Sequence, residues 1–286
     1  MYSWALWTLI LHTAIYNCVT GACTDRCSCD RAFTCDGTGV ECGYQGLTRV
    51  PTDFPIDTCS MDLSSNDITT IEEGAFFGFS GLQSLDLSTN KITNIENGAF
   101  RGLTSLQSLD LSFNDITIIV DGAFFGLSGL QSLDFSLNKI TNIENGVFLA
   151  LTSLQTIDLS SNKITNVENG AFLGLTSLQS LSIGDNPFHC DCSLEAFTQF
   201  LRGRPSYLNN PQCSTPGDLA GTELMKVSFE DMDCTKQNNV SLKNMDYTER
   251  NKIPLEDMDC TNSSTRVTMF IVSSINILLF HVVCRF

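Results

Sequence analysis

Between residues 60 and 186 the apolar and polar positions follow a pattern that closes on itself every 24 residues. The stretch "SLDLSTNKITNIENGAF" at 84–100 returns with small edits at 108, 132 and 156, and a weaker copy stands at 60. Asn66, Asn90, Asn114, Asn138, Asn162 and Asn186 keep the period without a slip, and a fixed period of this size predicts a solenoid. Aligned on the Asn, the units read L-x-x-L-D-L-S-x-N-x-I-T-x-I-x-x-G-A-F-x-G-L. Leu85-Asp86-Leu87 alternates like a half-buried strand, which turns the leucines inward and Asp86 and Ser88 outward. Coils of equal length then stack one short strand each into a parallel sheet, with ~4.8 Å between neighbours.

Where the chain leaves this sheet, backbone N–H and C=O groups are left inside the coil. The Asn amide is both donor and acceptor, so a stack of Asn side chains can satisfy turn after turn. Phe76, Phe100, Phe124, Phe148 and Phe172 predict a buried column on the convex side. A second apolar column, Phe77, Phe125, Leu149 and Leu173 with Arg101 in its midst, is expected as half-buried packing.

The ends of the chain differ from its middle. Cys23, Cys27, Cys29, Cys35, Cys42 and Cys59 precede the repeats, Cys190, Cys192, Cys213 and Cys234 follow them, and the repeats between contain none. The apolar run "WALWTLILHTAIY" before "VTGAC" reads as a secretory signal over residues 1–22, with a short membrane anchor as the alternative. Export and 13 cysteines together predict a disulfide framework. The formal charge of −16 argues against nucleic acid, whose binding depends on neutralising phosphates.

The repeat consensus resembles that of leucine-rich repeat proteins, and the resemblance spans residues 23–234. C-x-x-x-C-x-C at Cys23, Cys27 and Cys29, with Cys42 ahead of "LTRVPTDFP", is similar to the N-terminal cap of extracellular members. "NPFHCDCSLEAFTQFL" through "FEDMDC" is similar to the C-terminal cap. The resemblance implies an α/β-type solenoid, a horseshoe with a parallel concave sheet and disulfide-stapled caps. Its parts would be a cap at 23–59, repeats at 60–183 and a second cap at 184–234. The resemblance also implies the pairs Cys23–Cys29, Cys27–Cys42, Cys190–Cys213 and Cys192–Cys234. Cys35 and Cys59 depart from the four-cysteine cap. A Cys35–Cys59 bond would tie the cap to the degenerate first coil, in which Thr58 and Met61 replace leucines. Such lids are needed because bare end coils would present core and open sheet edges to water.

After Cys234 the repeat logic stops, and residues 235–262 read as a polar stalk. The two N-x-S/T sequons, at Asn239 and Asn262, both lie there, which makes Asn239 a glycosylation site. The apolar end, 263–286, follows small residues and resembles a GPI signal with attachment at Asn262 or Ser263; a transmembrane helix is the rival. Cys260 would be left without an intrachain partner in the caps. It either forms an intermolecular bond and a homodimer, serves as an alternative partner for the cap, or is capped by a small thiol.

Four columns face outward from the concave strands. Ser60, Ser84, Ser108, Ser132, Thr156 and Ser180 form one; Asp62, Asp86, Asp110, Asp134 and Asp158 the next; Ser64, Ser88, Ser112, Ser136 and Ser160 the third. The fourth varies: Ser65, Thr89, Phe113, Leu137, Ser161 and Asp185. Five carboxylates ~5 Å apart repel by about 1 kcal/mol per neighbour in water, so they either solubilise the face or await a cationic ligand. Phe113 and Leu137 are the better anchors, because apolar groups exposed there serve no folding purpose.

Enzymatic chemistry is not expected. His12 and His281 lie in segments predicted to be removed, which leaves His189 alone, and no cofactor fingerprint or metal set beyond His189-Cys190-Asp191-Cys192 occurs. There the disulfide reading prevails over the metal one. The order of parts resembles the variable lymphocyte receptors of jawless fish and similar receptors of basal chordates. That resemblance implies a GPI-anchored receptor on the outer face of the plasma membrane, with a single-pass or secreted form as alternatives. Its concave face would bind a protein, microbial or carbohydrate ligand. Homophilic or matrix adhesion through the repeat surface is the competing expectation.

Overall fold

The computed structural model describes residues 23, 26–32, 34–202, 211–232 and 234, together with the backbone of 269–273 and 276–280. The signal, the stalk, Asn239, Cys260, Asn262 and Ser263 lie outside the described residues. The chain divides into two units, Met1–Thr235 and Lys236–Phe286. In the second, Met269–Ser273 pairs antiparallel with Asn276–Phe280, in a run rich in the β-branched and aromatic residues that favour strands. No helix among the described residues is long and apolar enough to cross a membrane.

The first unit is a solenoid built on an eight-stranded sheet. Ser28–Arg31 and Thr38–Glu41 form an antiparallel pair in the cap, and Thr38–Glu41 then runs parallel to Thr58–Asp62. From there the strands Ser84–Asp86, Ser108–Asp110, Ser132–Asp134, Thr156–Asp158 and Ser180–Ser182 follow in order, all parallel. Each residue pairs with the one 24 positions on, as Ser84 with Ser108, so equal coil length alone sets the register. The strands are only three residues long here because the next leucine already turns into the coil.

The Asn ladder works as the sequence predicts. Asn114 Nδ2 donates to Leu87 O of the preceding coil and to Leu111 O and Ser112 O of its own, at 3.0–3.1 Å. Its Oδ1 accepts the Ile92 N–H at 2.9 Å. Asn66 joins the first cap by the same means, accepting from the Gln45 and Leu47 amides and donating to Cys42 O.

Opposite the sheet, Phe76, Phe100, Phe124, Phe148 and Phe172 stack with ring centroids 5.8–6.3 Å apart. Strands ~4.8 Å apart on one side and rings about 6 Å apart on the other oblige the coils to fan, with the sheet on the concave side. Phe197 and Phe200 of the helix Glu195–Arg202 extend this spine into the second cap, 5.6 and 5.2 Å from Phe172. Among the described residues five disulfides form, Cys23–Cys29, Cys27–Cys42, Cys35–Cys59, Cys190–Cys213 and Cys192–Cys234, all placed near the ends of the solenoid.

One feature departs from the sequence reading and a second lies beyond it. The column Phe77, Phe125, Leu149 and Leu173 is not half-buried packing: all four side chains are exposed. The spine phenylalanines beneath are already sealed by their neighbours, so the next residue has nothing left to cover. Second, a narrow ladder on the outer side pairs Thr70–Ile71 with Asn94–Ile95, and Asn142–Ile143 with Asn166–Val167, but Ile118–Ile119 of the coil between joins neither. Glu96 and Glu168 each accept a backbone N–H from the preceding coil, Glu73 and Asn145 respectively. Val120 holds the corresponding position in the unpaired coil and has no oxygen to offer.

Candidate ligand-binding face

All four outward columns reach the concave surface, but they differ in what they have left to give. Each Asp of the second column accepts the backbone N–H two residues on. Asp62, Asp86, Asp110, Asp134 and Asp158 bind the amides of Ser64, Ser88, Ser112, Ser136 and Ser160 through Oδ1 at 2.7–2.8 Å. The carboxylate therefore closes the strand where the chain turns, a fixed task that "LDLS" carries in its spacing. Asp62 also shares a hydrogen bond with Glu41 and Asp134 one with the Ser136 side chain, while Asp86, Asp110 and Asp158 keep their second oxygen for solvent or a ligand. Asp134, at the middle of the column, has its pKa pushed up by burial, against the Ser136 hydrogen bonds, with the charges of Asp110 and Asp158 adding to the rise.

The acidic column also continues into the cap. Glu41 pairs in register with Asp62. Burial raises its pKa, and the charge and a shared hydrogen bond with Asp62 raise it further. The signal was present as Val40-Glu41-Cys42, an apolar-acid-apolar triplet that aligns with Leu85-Asp86-Leu87. Ser112, expected among the contact residues, is buried, while Ser64, Ser88, Ser136 and Ser160 are partly open.

The fourth column has the most distinctive backbone. Ser65, Thr89, Phe113, Leu137, Ser161 and Asp185 all have φ between 53° and 56°, in the left-handed region. That conformation costs an L-residue roughly 1–2 kcal/mol, and only Gly and, less freely, Asn or Asp enter it easily. It is imposed by the turn that delivers the ladder Asn, and it projects the side chain out of the coil. Phe113 is 55% exposed and Leu137 42%, in adjacent coils at the middle of the sheet. Tyr44 belongs to the same column: its φ is 60°, its N–H donates to Ser64 O as the Ser65 N–H does to Ser88 O, and it is 84% exposed. The sequence reading passed over it because Gln45 stands where the ladder has Asn.

Beyond this column, Asp67 pairs with Lys91 at 2.7 Å and Asp115 with Lys139 at 2.6 Å, so these lysines are already engaged along the rim. The face as a whole offers an acidic stripe, hydroxyls and an aromatic-aliphatic spot. It suits neutral or cationic ligands with an apolar part, and it repels phosphates.

The metal reading of His189-Cys190-Asp191-Cys192 finds no ligand set. Cys192, Glu195 and Cys234 lie close together, but both sulfurs are bonded to each other and cannot serve as thiolates. His189 Nδ1 meets Thr215 Oγ1 at 2.7 Å and its Nε2 lies 3.5 Å from Asp191, an arrangement that ties the cap together.

Comparison with known proteins agrees with this architecture. The family model described as leucine rich repeat matches residues 59–116, 116–162 and 137–188. Human leucine-rich repeats and immunoglobulin-like domains protein 1 is 37% identical over 78 residues, 27% of this chain and 7% of the relative. Rat decorin is 38% identical over 68 residues, 24% of this chain and 18% of the relative. Among solved structures, a TLR13–ssRNA13 complex superposes with a TM-score of 0.51 at 32% identity, covering 56% of this chain and 23% of the other. The matched region thus spans well under a third of either curated relative. Register, Asn ladder, Phe spine and family match coincide, and residues 59–188 are a run of leucine-rich repeats.

Proposed function

We propose that the chain is a cell-surface recognition receptor of the variable-lymphocyte-receptor kind, held to the outer leaflet by a GPI anchor at Asn262 or Ser263. It binds a protein, microbial or carbohydrate ligand on the concave face in innate immune recognition. The observation that carries this reading is the pair Phe113 and Leu137, bare apolar side chains at the centre of the sheet on a backbone that disfavours them. Asp86, Asp110, Asp134, Asp158, Thr89 and Ser161 frame the pair as polar contacts. The chemistry of the face argues against an RNA ligand like that in the TLR13 complex, because its columns present carboxylates rather than cations.

The test is a binding screen of the purified full chain against microbial surface glycans and proteins, with Phe113→Asp alongside. Binding lost in the variant at unchanged melting temperature supports the receptor. A concentration-dependent dimer in light scattering, abolished by the same substitution, supports homophilic adhesion instead. Binding indifferent to the substitution removes the concave-face reading.

A further inference from the structure

The outer flank of the solenoid carries an apolar column that folding does not need. The residue after each spine phenylalanine is Phe77, Arg101, Phe125, Leu149 or Leu173, and the apolar four are 60–82% exposed. Beneath them, Phe76, Phe124 and Phe148 are no more than 1% exposed and Phe172 is 6% exposed, so the outer residues leave the spine covered without closing over it. An acidic edge runs beside the column. A Cβ placed at Gly98 would lie 3.7 Å from Glu73 Cγ and 4.0 Å from Arg101 Cβ, so an acidic side chain approaches the column where it carries Arg101. At the far end Glu168 and Leu173 line one groove of about 330 Å³ with Ala196 and Phe197 of the cap helix.

We propose that this flank docks an amphipathic helix from another protein, apolar where it meets Phe125, Leu149 and Leu173 and basic along the edge that meets Glu144 and Glu168. The spacing fits. The spine rings under these three residues step by 6.2 and 5.8 Å, a lower bound for the side chains outside them on the fanned coils, and side chains at i, i+4 and i+8 of an α-helix step by ~6 Å. The groove beside Leu173 receives the last apolar side chain. Charge selects against the other occupants. A second copy would set one acidic edge against another with Arg101 as the one cation of the column to answer it, and an anionic bilayer meets the same carboxylates. This surface lies outside the concave columns, and the inference stands whatever the concave face binds.

The probe is a fluorescein-labelled Leu/Lys peptide of about 18 residues, five helical turns, with leucines at i, i+4 and i+8. A scrambled peptide of the same composition serves as control, and both are titrated with the purified full chain at about physiological ionic strength. Phe125→Asp/Leu149→Asp is expected to weaken helix-peptide binding by about tenfold or more, while Phe113→Asp leaves it unchanged. Glu144→Gln/Glu168→Gln is expected to flatten its salt dependence. Both substituted apolar residues are exposed, so melting temperature should hold; Phe125→Ser/Leu149→Ser replaces the first variant if it does not. Equal affinity of wild type and flank variants, equal affinity for ordered and scrambled peptides, or loss with Phe113→Asp would each overturn the proposal.

Discussion

At Phe113 a left-handed backbone and an exposed phenyl ring coincide, and relieving the first also removes the second. Phe113→Asn should raise stability, by about 1 kcal/mol, because Asn tolerates the left-handed region and forfeits no buried contact. It should at the same time abolish ligand capture, and a gain in melting temperature with retained binding would show that the ring is ornamental. Asp134 supplies a second residue-scale prediction. Its raised pKa means the folded state holds the proton more tightly than the unfolded one. The associated stability is present at low pH and is lost as pH rises through the folded value. Asp134→Asn keeps an oxygen for the Ser136 amide. Its melting temperature should match wild type near about pH 3 and exceed it at about pH 7. At this scale the sequence was half legible. The outward direction of the Asp column follows from strand alternation, whereas its bond to the amide two residues on needs the turn geometry. Tyr44 and Glu41 were hidden because the cap keeps the coil's shape after losing its leucines and its Asn.

Elements in this solenoid are too short to stand alone. A three-residue strand has no stability of its own, and each coil is held by its neighbours through the sheet, the Asn amides and the Phe rings. Asn138→Ala would leave the Ile116 N–H without its acceptor and take one of two ladder donors from Leu111 O and Phe135 O, which keep Asn114 and Asn162 respectively. A buried polar group left alone costs about 1–3 kcal/mol, so we expect a loss of about 1–3 kcal/mol in chemical denaturation. Cys59→Ser should act more locally. It frees Cys35 and unties the degenerate first coil, with faster hydrogen exchange in Thr38–Glu41 and Thr58–Asp62 and a loss of about 2–4 kcal/mol. Strands, ladder and spine were readable from the 24-residue period because each repeats one local solution. The exposure of the Phe77 column was not, since periodicity tells which positions recur and not which are already covered.

Across the whole first unit, curvature is fixed by two spacings, short between strands and longer between rings. The outer ladder helps to hold the longer one, and it is interrupted at Ile118–Ile119, in the same coil that bears Phe113. Backbone amides there should exchange faster than those of Asn94–Ile95 or Asn166–Val167, and Val120→Glu, which restores an acceptor, should slow them. In mechanical terms the horseshoe has a compliant section at its midpoint. On its outer side that coil is tied to its neighbours by long backbone bonds, Gly98 N–H to Gly122 O and Thr141 N–H to Thr117 O at 3.4 Å, rather than by a paired outer strand. On the proposed reading, a ligand seated on Phe113 and Leu137 presses where the outer ladder is interrupted, and flexing of one coil would let the face grip ligands of different girth.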